Sequence, residues 1–291
     1  MVKKELFDRS IKKSFLAGMP ILPGVMVNDE KDFGRYITTR GITKWHDTYF
    51  TEDFEKTILR ELSEVVDRYK NVRGSELNSK FYCVASSSRL AVASFLKKQD
   101  GKITYISSFR GEELEDFSFE KILKIKKIGR TSPQMDVWFE TSTKVFFYEV
   151  KCHEIFDSHK KILLSKSYNQ YDVFKEIAEK YGLPLDREVI KDGYRYFSFD
   201  WSDFDLKCNT HHFDLKQFIC HLMGIISSNT KPGKKKQFVY LFYKNDSDEF
   251  SNIYEQLEME IKQIKDSFKW LLDKYNIHFS FEYNTKFDTL K

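Results

Sequence analysis

The sequence predicts an α/β fold, a mixed β-sheet flanked by helices, preceded by an N-terminal extension that is irregular and then helical. Three observations carry this expectation. Apolar residues recur at steps of three and four in some stretches and alternate or run together in others. The order is helices, then a meander of strands, then helix–strand–helix–strand. Aromatic side chains are abundant, with 27 Phe and 16 Tyr in 291 residues against 5 Pro and 12 Gly. That composition fills a core and excludes disordered, collagen-like and low-complexity chains.

Residues 1–75 form the extension. Residues 1–50 mix Pro20, Pro23, Gly24, Gly34 and Gly41 with aromatics and charges and have no period. From Thr51 the apolar positions Phe54, Ile58, Leu59, Leu62, Val65, Val66 and Tyr69 mark a helix. Residues 76–291 form the α/β core. Its pattern predicts a helix over 76–98 and strands over 102–109 and 119–128. A hairpin follows, with strands 135–140 and 145–151 joined by Thr141-Ser142-Thr143-Lys144. Then come a helix over 168–181, a strand over 194–201, an apolar helix over 213–227 and a loop over 231–236. Strand 237–244 is near-continuously apolar, hence buried on both faces. A long helix over 251–275 and a strand over 277–283 complete the core.

Charge narrows the function little, since 48 basic against 44 acidic residues give +4, too small by itself to identify a polyanion partner. No apolar run is long enough for a membrane span. Cys83, Cys152, Cys208 and Cys220 form no C-x-x-C and read as reduced thiols of a cytoplasmic protein. Pro20 and Pro23 interrupt the one apolar stretch near the start, so a signal peptide is not expected.

The chemistry concentrates in the hairpin. An apolar strand ending Glu149-Val150-Lys151 places two charges on one face beside the core. With Glu140 opposite Val145, Asp136 falls opposite Glu149. Directly opposed side chains have Cβ atoms about 4.5–5.5 Å apart. Two carboxylates that close repel unless a cation lies between them, and a hard divalent ion suits such a pair.

Asp136, twelve intervening residues and Glu149-Val150-Lys151 resemble the PD-(D/E)XK nuclease superfamily. Pro133 precedes Asp136 by three positions, so the first part of the motif is degenerate. The resemblance implies a restriction-endonuclease-like core and a Mg²⁺ ion, with Mn²⁺ as a substitute. Asp136, Glu149 and the Val150 carbonyl would hold the ion, and Lys151 would orient or deprotonate the attacking water. It also implies an acid from an upstream helix, for which Glu76 is the best-placed residue, with Glu55 and Glu61 as competitors.

Helix 213–227 is largely apolar, and Asp214, Gln217, His221, Gly224 and the following Ser228, at steps of three and four, form one narrow polar stripe. Gln217 and His221 are neighbours on it. They are similar to the Gln-x-x-x-Tyr helix beside the metal in some branches of the superfamily, which implies a catalytic role for both. Cys208, His211, His212, Cys220 and His221 lack the paired spacing of a zinc site. The lysine-rich loop 231–236 is a solvated loop or, if near the site, a neutraliser of phosphates.

The resulting expectation is a metal-dependent phosphodiesterase, an endonuclease of restriction or phage-defence type acting on double-stranded DNA. A homodimer would bring two sites to the two strands. The alternative is a non-catalytic nucleic-acid-binding or structural module that keeps the fold.

Overall fold

The computed structural model describes residues 87–99, 102–125, 132–245 and 247–285. Helix α1 (Ser87–Phe95) leads into β1 (Leu96–Gln99), which pairs antiparallel with β2 (Lys102–Tyr105). Then come β3 (Ser108–Phe109), β4 (Glu112–Ile122), β5 (Gln134–Thr141), β6 (Lys144–Lys151) and β7 (Lys161–Ser165). Helix α2 (Asp172–Tyr181), β8 (Glu188–Lys191), β9 (Tyr194–Asp200) and α3 (Leu215–Ser227) follow. The order closes with β10 (Lys235–Tyr243), α4 (Ser251–Ser267), α5 (Lys269–Lys274) and β11 (Ile277–Asn284).

The main sheet has six strands in the order β11-β10-β6-β5-β4-β3. Strands β3 to β6 form an antiparallel meander. Strand β10 joins β6 in parallel, and β11 joins β10 in parallel. A parallel pair needs a long crossover, and α3 before β10 and α4–α5 before β11 lie in those crossovers. The fold is therefore α/β with a mixed sheet flanked by helices. A second, antiparallel sheet of three strands has the order β7-β9-β8.

Strand β6 is central, and Val145 to Val150 are all buried. Its alternate residues serve two aromatic clusters. Phe146 and Tyr148 face α1, where Phe139 and Phe146 rings lie 4.6 Å apart and Phe95 and Tyr148 rings 4.9 Å. The other face carries Phe147, Glu149 and Lys151 towards α3. There Phe213 and Tyr240 lie 4.6 Å apart, and Phe218 and Phe279 4.9 Å. Strand β10 is buried from Phe238 to Tyr243, as its apolar run predicts.

Several expectations need correction. The helix predicted over 76–98 ends at Phe95, and Leu96–Gln99 extends as β1. The strand predicted over 102–109 is two strands, β2 and β3. The strand predicted over 119–128 starts at Glu112 and stops at Ile122. Two carboxylates of its acidic start are paired with cations from elsewhere: Lys144 binds Glu112, and Lys231 and Lys234 bind Glu115. Strands β7 and β8 were not anticipated, and every residue of β8 is exposed. The extension 1–75, its predicted helix, Glu55, Glu61, Glu76 and Cys83 lie outside the described residues. Among the described residues no helix is long and apolar enough to cross a membrane.

Candidate active site at the end of the central hairpin

Strands β5 and β6 pair with Glu140 opposite Val145 and, at the other end, Val137 opposite Tyr148. The next step of that register aligns Asp136 with Glu149. The paired ladder ends there, and the Asp136 side chain takes over: its Oδ2 accepts a hydrogen bond of 2.7 Å from the Val150 amide. Glu149 Oε1 accepts from Lys151 Nζ at 2.6 Å and from Gln217 Nε2 at 3.0 Å. His221 Nδ1 stands 3.4 Å from the other oxygen, Glu149 Oε2. Glu149 is 2% exposed and His221 4%. Asp136, Glu149, Lys151, Gln217 and His221 thus share one neighbourhood.

The local sequence explains how α3 reaches it. Asp214 caps the helix by accepting from the Gln217 amide at 2.9 Å, a bond that satisfies one of the free amides of the first turn. The polar stripe then runs along the sheet rather than along solvent. Gly224, on that stripe, lets the backbones close. A Cβ there would lie 2.4 Å from Pro133 Cγ and 2.9 Å from Leu123 Cβ. Lys216, one position before Gln217, is exposed.

Burial, then the charge of Glu149, pushes Asp136 well above its ordinary value. Burial likewise raises Glu149, against the pull of Lys151. Burial would lower Lys151, but Glu149, Glu154 and Asp136 more than offset it, and the net shift is upward. Lys151 is therefore an ammonium. Burial, then Lys151, lowers His221 to about 3, so the imidazole is neutral.

A cleft of about 70 Å³ opens beside these groups, lined by Lys151, Glu154, Asp157, His159, Asp214, Gln217 and Tyr240 among others. Asp136, Glu149 and His221 do not line it; Glu149 is joined to the lining residues Lys151 and Gln217 by hydrogen bonds. Among the described residues, His221 Nδ1 and Tyr240 Oη are the buried side-chain polar atoms without a hydrogen-bond partner. Both adjoin Glu149, since Tyr240 faces it across the β6–β10 ladder. Buried polar groups are almost always paired, so the two orphans at one carboxylate single it out as the candidate site.

Sequence reading missed Tyr240, Glu154 and His159. Tyr240 is hidden in an apolar strand, where a tyrosine signals nothing by itself. Glu154 lies three residues after Lys151, and its Oε2 accepts from the Cys152 amide at 2.7 Å. The lysine-rich loop needs correction as a phosphate neutraliser. Lys231 and Lys234 bind Glu115, Lys234 also binds Glu140 at 2.8 Å, and the Lys235 amide bonds to Thr143 O. This is the opposite end of β10 from Phe242, which lines the cleft. At about 3.3 Å per residue the separation is roughly 20 Å. Of the residues weighed for zinc, His212 binds Ile155 O and Gln256, and Cys208 binds Gln263.

Comparison of the chain with protein-family models, with curated proteins and with solved structures found no match. No three His, Cys, Asp or Glu side chains among the described residues are grouped as a metal shell. The donors nevertheless suit a divalent cation. The charge of Glu149 raises the proton affinity of Asp136, Oε2 of Glu149 faces an orphaned imidazole, and a bound cation would relieve both conflicts.

Proposed function

We propose that the chain is a metal-dependent nuclease of the restriction-endonuclease-like fold, hydrolysing phosphodiester bonds of double-stranded DNA in a restriction or phage-defence role. The observation that supports this best is the gathering of Asp136, Glu149, Lys151 and Gln217 at one end of the β5–β6 hairpin, beside a cleft. Asp136, Glu149 and the Val150 carbonyl would hold Mg²⁺, or Mn²⁺ in its place. When bound, the ion supplies Lewis-acid polarisation of a phosphoryl oxygen.

The chain's own groups do the rest. Lys151, held as an ammonium, orients the attacking water and stabilises charge developing on the phosphoryl oxygens. That protonation state makes it an electrostatic group rather than the base. Gln217 fixes Glu149 through its amide, and the amide also faces the cleft as a donor for a phosphate oxygen. Two copies acting on one duplex would cut both strands.

The test is incubation with plasmid, linear and single-stranded DNA, and with RNA, in Mg²⁺, Mn²⁺ or chelator. Metal-dependent cleavage of duplex DNA is expected. Lys151→Ala should lower the rate on the order of 10²–10⁴-fold while duplex binding persists. Binding with no cleavage under any metal would return the chain to the non-catalytic module, and RNA-only cleavage would overturn the DNA assignment.

A further inference from the structure

His221 Nδ1 is buried and has no hydrogen-bond partner. It stands 3.4 Å from Glu149 Oε2. Both side chains are buried, Glu149 being 2% exposed and His221 4%.

A shared proton does not resolve this arrangement. Hydrogen bonds of this kind span about 2.7–3.2 Å, and 3.4 Å is beyond that range. Lys151 does not resolve it either, because its ammonium and the Gln217 amide are both on Oε1. The ring of Phe238 stands edge-on to the imidazole, 6.3 Å away.

The spacing is that of two ligands on one ion. With metal–nitrogen and metal–oxygen bonds of about 2.1 Å, atoms 3.4 Å apart subtend an angle of roughly 108° at the metal. We infer that His221 Nδ1 and Glu149 Oε2 are joint ligands of a divalent transition ion, and that this site prefers Mn²⁺, Co²⁺ or Zn²⁺ over Mg²⁺. The preference follows from chemistry, since imidazole suits transition ions and Mg²⁺ favours an all-oxygen shell. His221 is then a metal ligand rather than a phosphate donor. The inference deepens the nuclease reading by naming its ion, but it rests on the geometry around Glu149 and not on cleavage.

The experiment adds Mn²⁺ to the metal-free full chain, without nucleic acid, and records its pulsed electron paramagnetic resonance. A ¹⁴N coupling from imidazole is expected in the wild-type protein. His221→Gln should abolish the coupling and weaken Mn²⁺ binding on the order of tenfold or more, the scale set by loss of even an outer-shell partner. Mg²⁺ should displace Mn²⁺ only in large excess. No Mn²⁺ binding, or bound Mn²⁺ without ¹⁴N coupling, overturns the inference, as does coupling that survives in His221→Gln. The wild-type spectrum decides even if the variant folds poorly. A ¹⁴N coupling in a protein that cleaves no DNA would keep the metal site and remove the nuclease, and cleavage with oxygen-only coordination would do the reverse.

Discussion

Tyr240 is fully buried and its hydroxyl has no partner. A buried, unsatisfied polar group costs about 1–3 kcal/mol, whereas its ring, in contact with Phe213, Phe238 and Phe242, stabilises the core. Tyr240→Phe keeps the ring and deletes the cost. The expected result is a metal-free protein more stable by about 1 kcal/mol, read from chemical denaturation, with slower cleavage if the hydroxyl serves a bound ligand. A loss of stability would mean the hydroxyl has a structural role. Asp136 calls for the opposite choice of variant. Its Oδ2 holds the Val150 amide at 2.7 Å, so Ala would strand that amide. Asn keeps an acceptor and removes the repulsion with Glu149, so Asp136→Asn should weaken metal binding without lowering metal-free stability. A thermal shift with and without Mn²⁺ checks both halves of that expectation.

At the level of elements, the hairpin and α3 were legible in the sequence because each carries a clear local pattern. Two apolar runs around a four-residue polar gap fix the β5–β6 register, and an interrupted apolar helix announces which side meets the sheet. What the stripe did not announce is how closely the helix approaches. Gly224→Ala should cost about 1–3 kcal/mol through overpacking against Pro133 and Leu123. It should also slow cleavage, because lifting α3 lengthens the Gln217–Glu149 bond. An unchanged unfolding midpoint would show that α3 has slack at this position. Other parts were illegible for physical reasons. Strand β8 buries nothing, so no apolar pattern marks it. The acidic start of β4 and the lysines of loop 231–236 satisfy each other across more than a hundred residues, for example Lys231 with Glu115, and no local window sees both. Tyr240 becomes part of the site only through the parallel pairing of β10 with β6, a crossover-dependent contact.

For the whole molecule, the site ties stability to pH and to metal. His221, neutral in the fold, falls from 6.5 to about 3. A lowered histidine contributes stability that is present above pH 6.5 and is lost as pH falls towards 3, at up to about 1.4 kcal/mol per unit. Asp136 and Glu149 are raised above 3.8 and 4.5. Raised carboxylates contribute in the other sense, their stabilisation being present below those values and lost as pH climbs through the folded ones. The two trends oppose each other as pH rises above the ordinary carboxylate values. Above pH 6.5 the histidine no longer changes, and any remaining dependence through this site belongs to the raised carboxylates. A bound cation needs those carboxylates ionised, and its binding releases their protons. Metal therefore has least effect in acid. The stabilisation by a fixed excess of Mn²⁺ should increase as pH rises through the titration of these carboxylates, by up to about 1.4 kcal/mol per unit for each proton released. Thermal unfolding across a pH series, with Mn²⁺ and with chelator, measures it. His221→Gln should flatten the acid limb of the metal-free curve. Glu149→Gln should remove most of the metal-induced gain. A gain independent of pH would mean that the cation binds somewhere other than this pair of carboxylates.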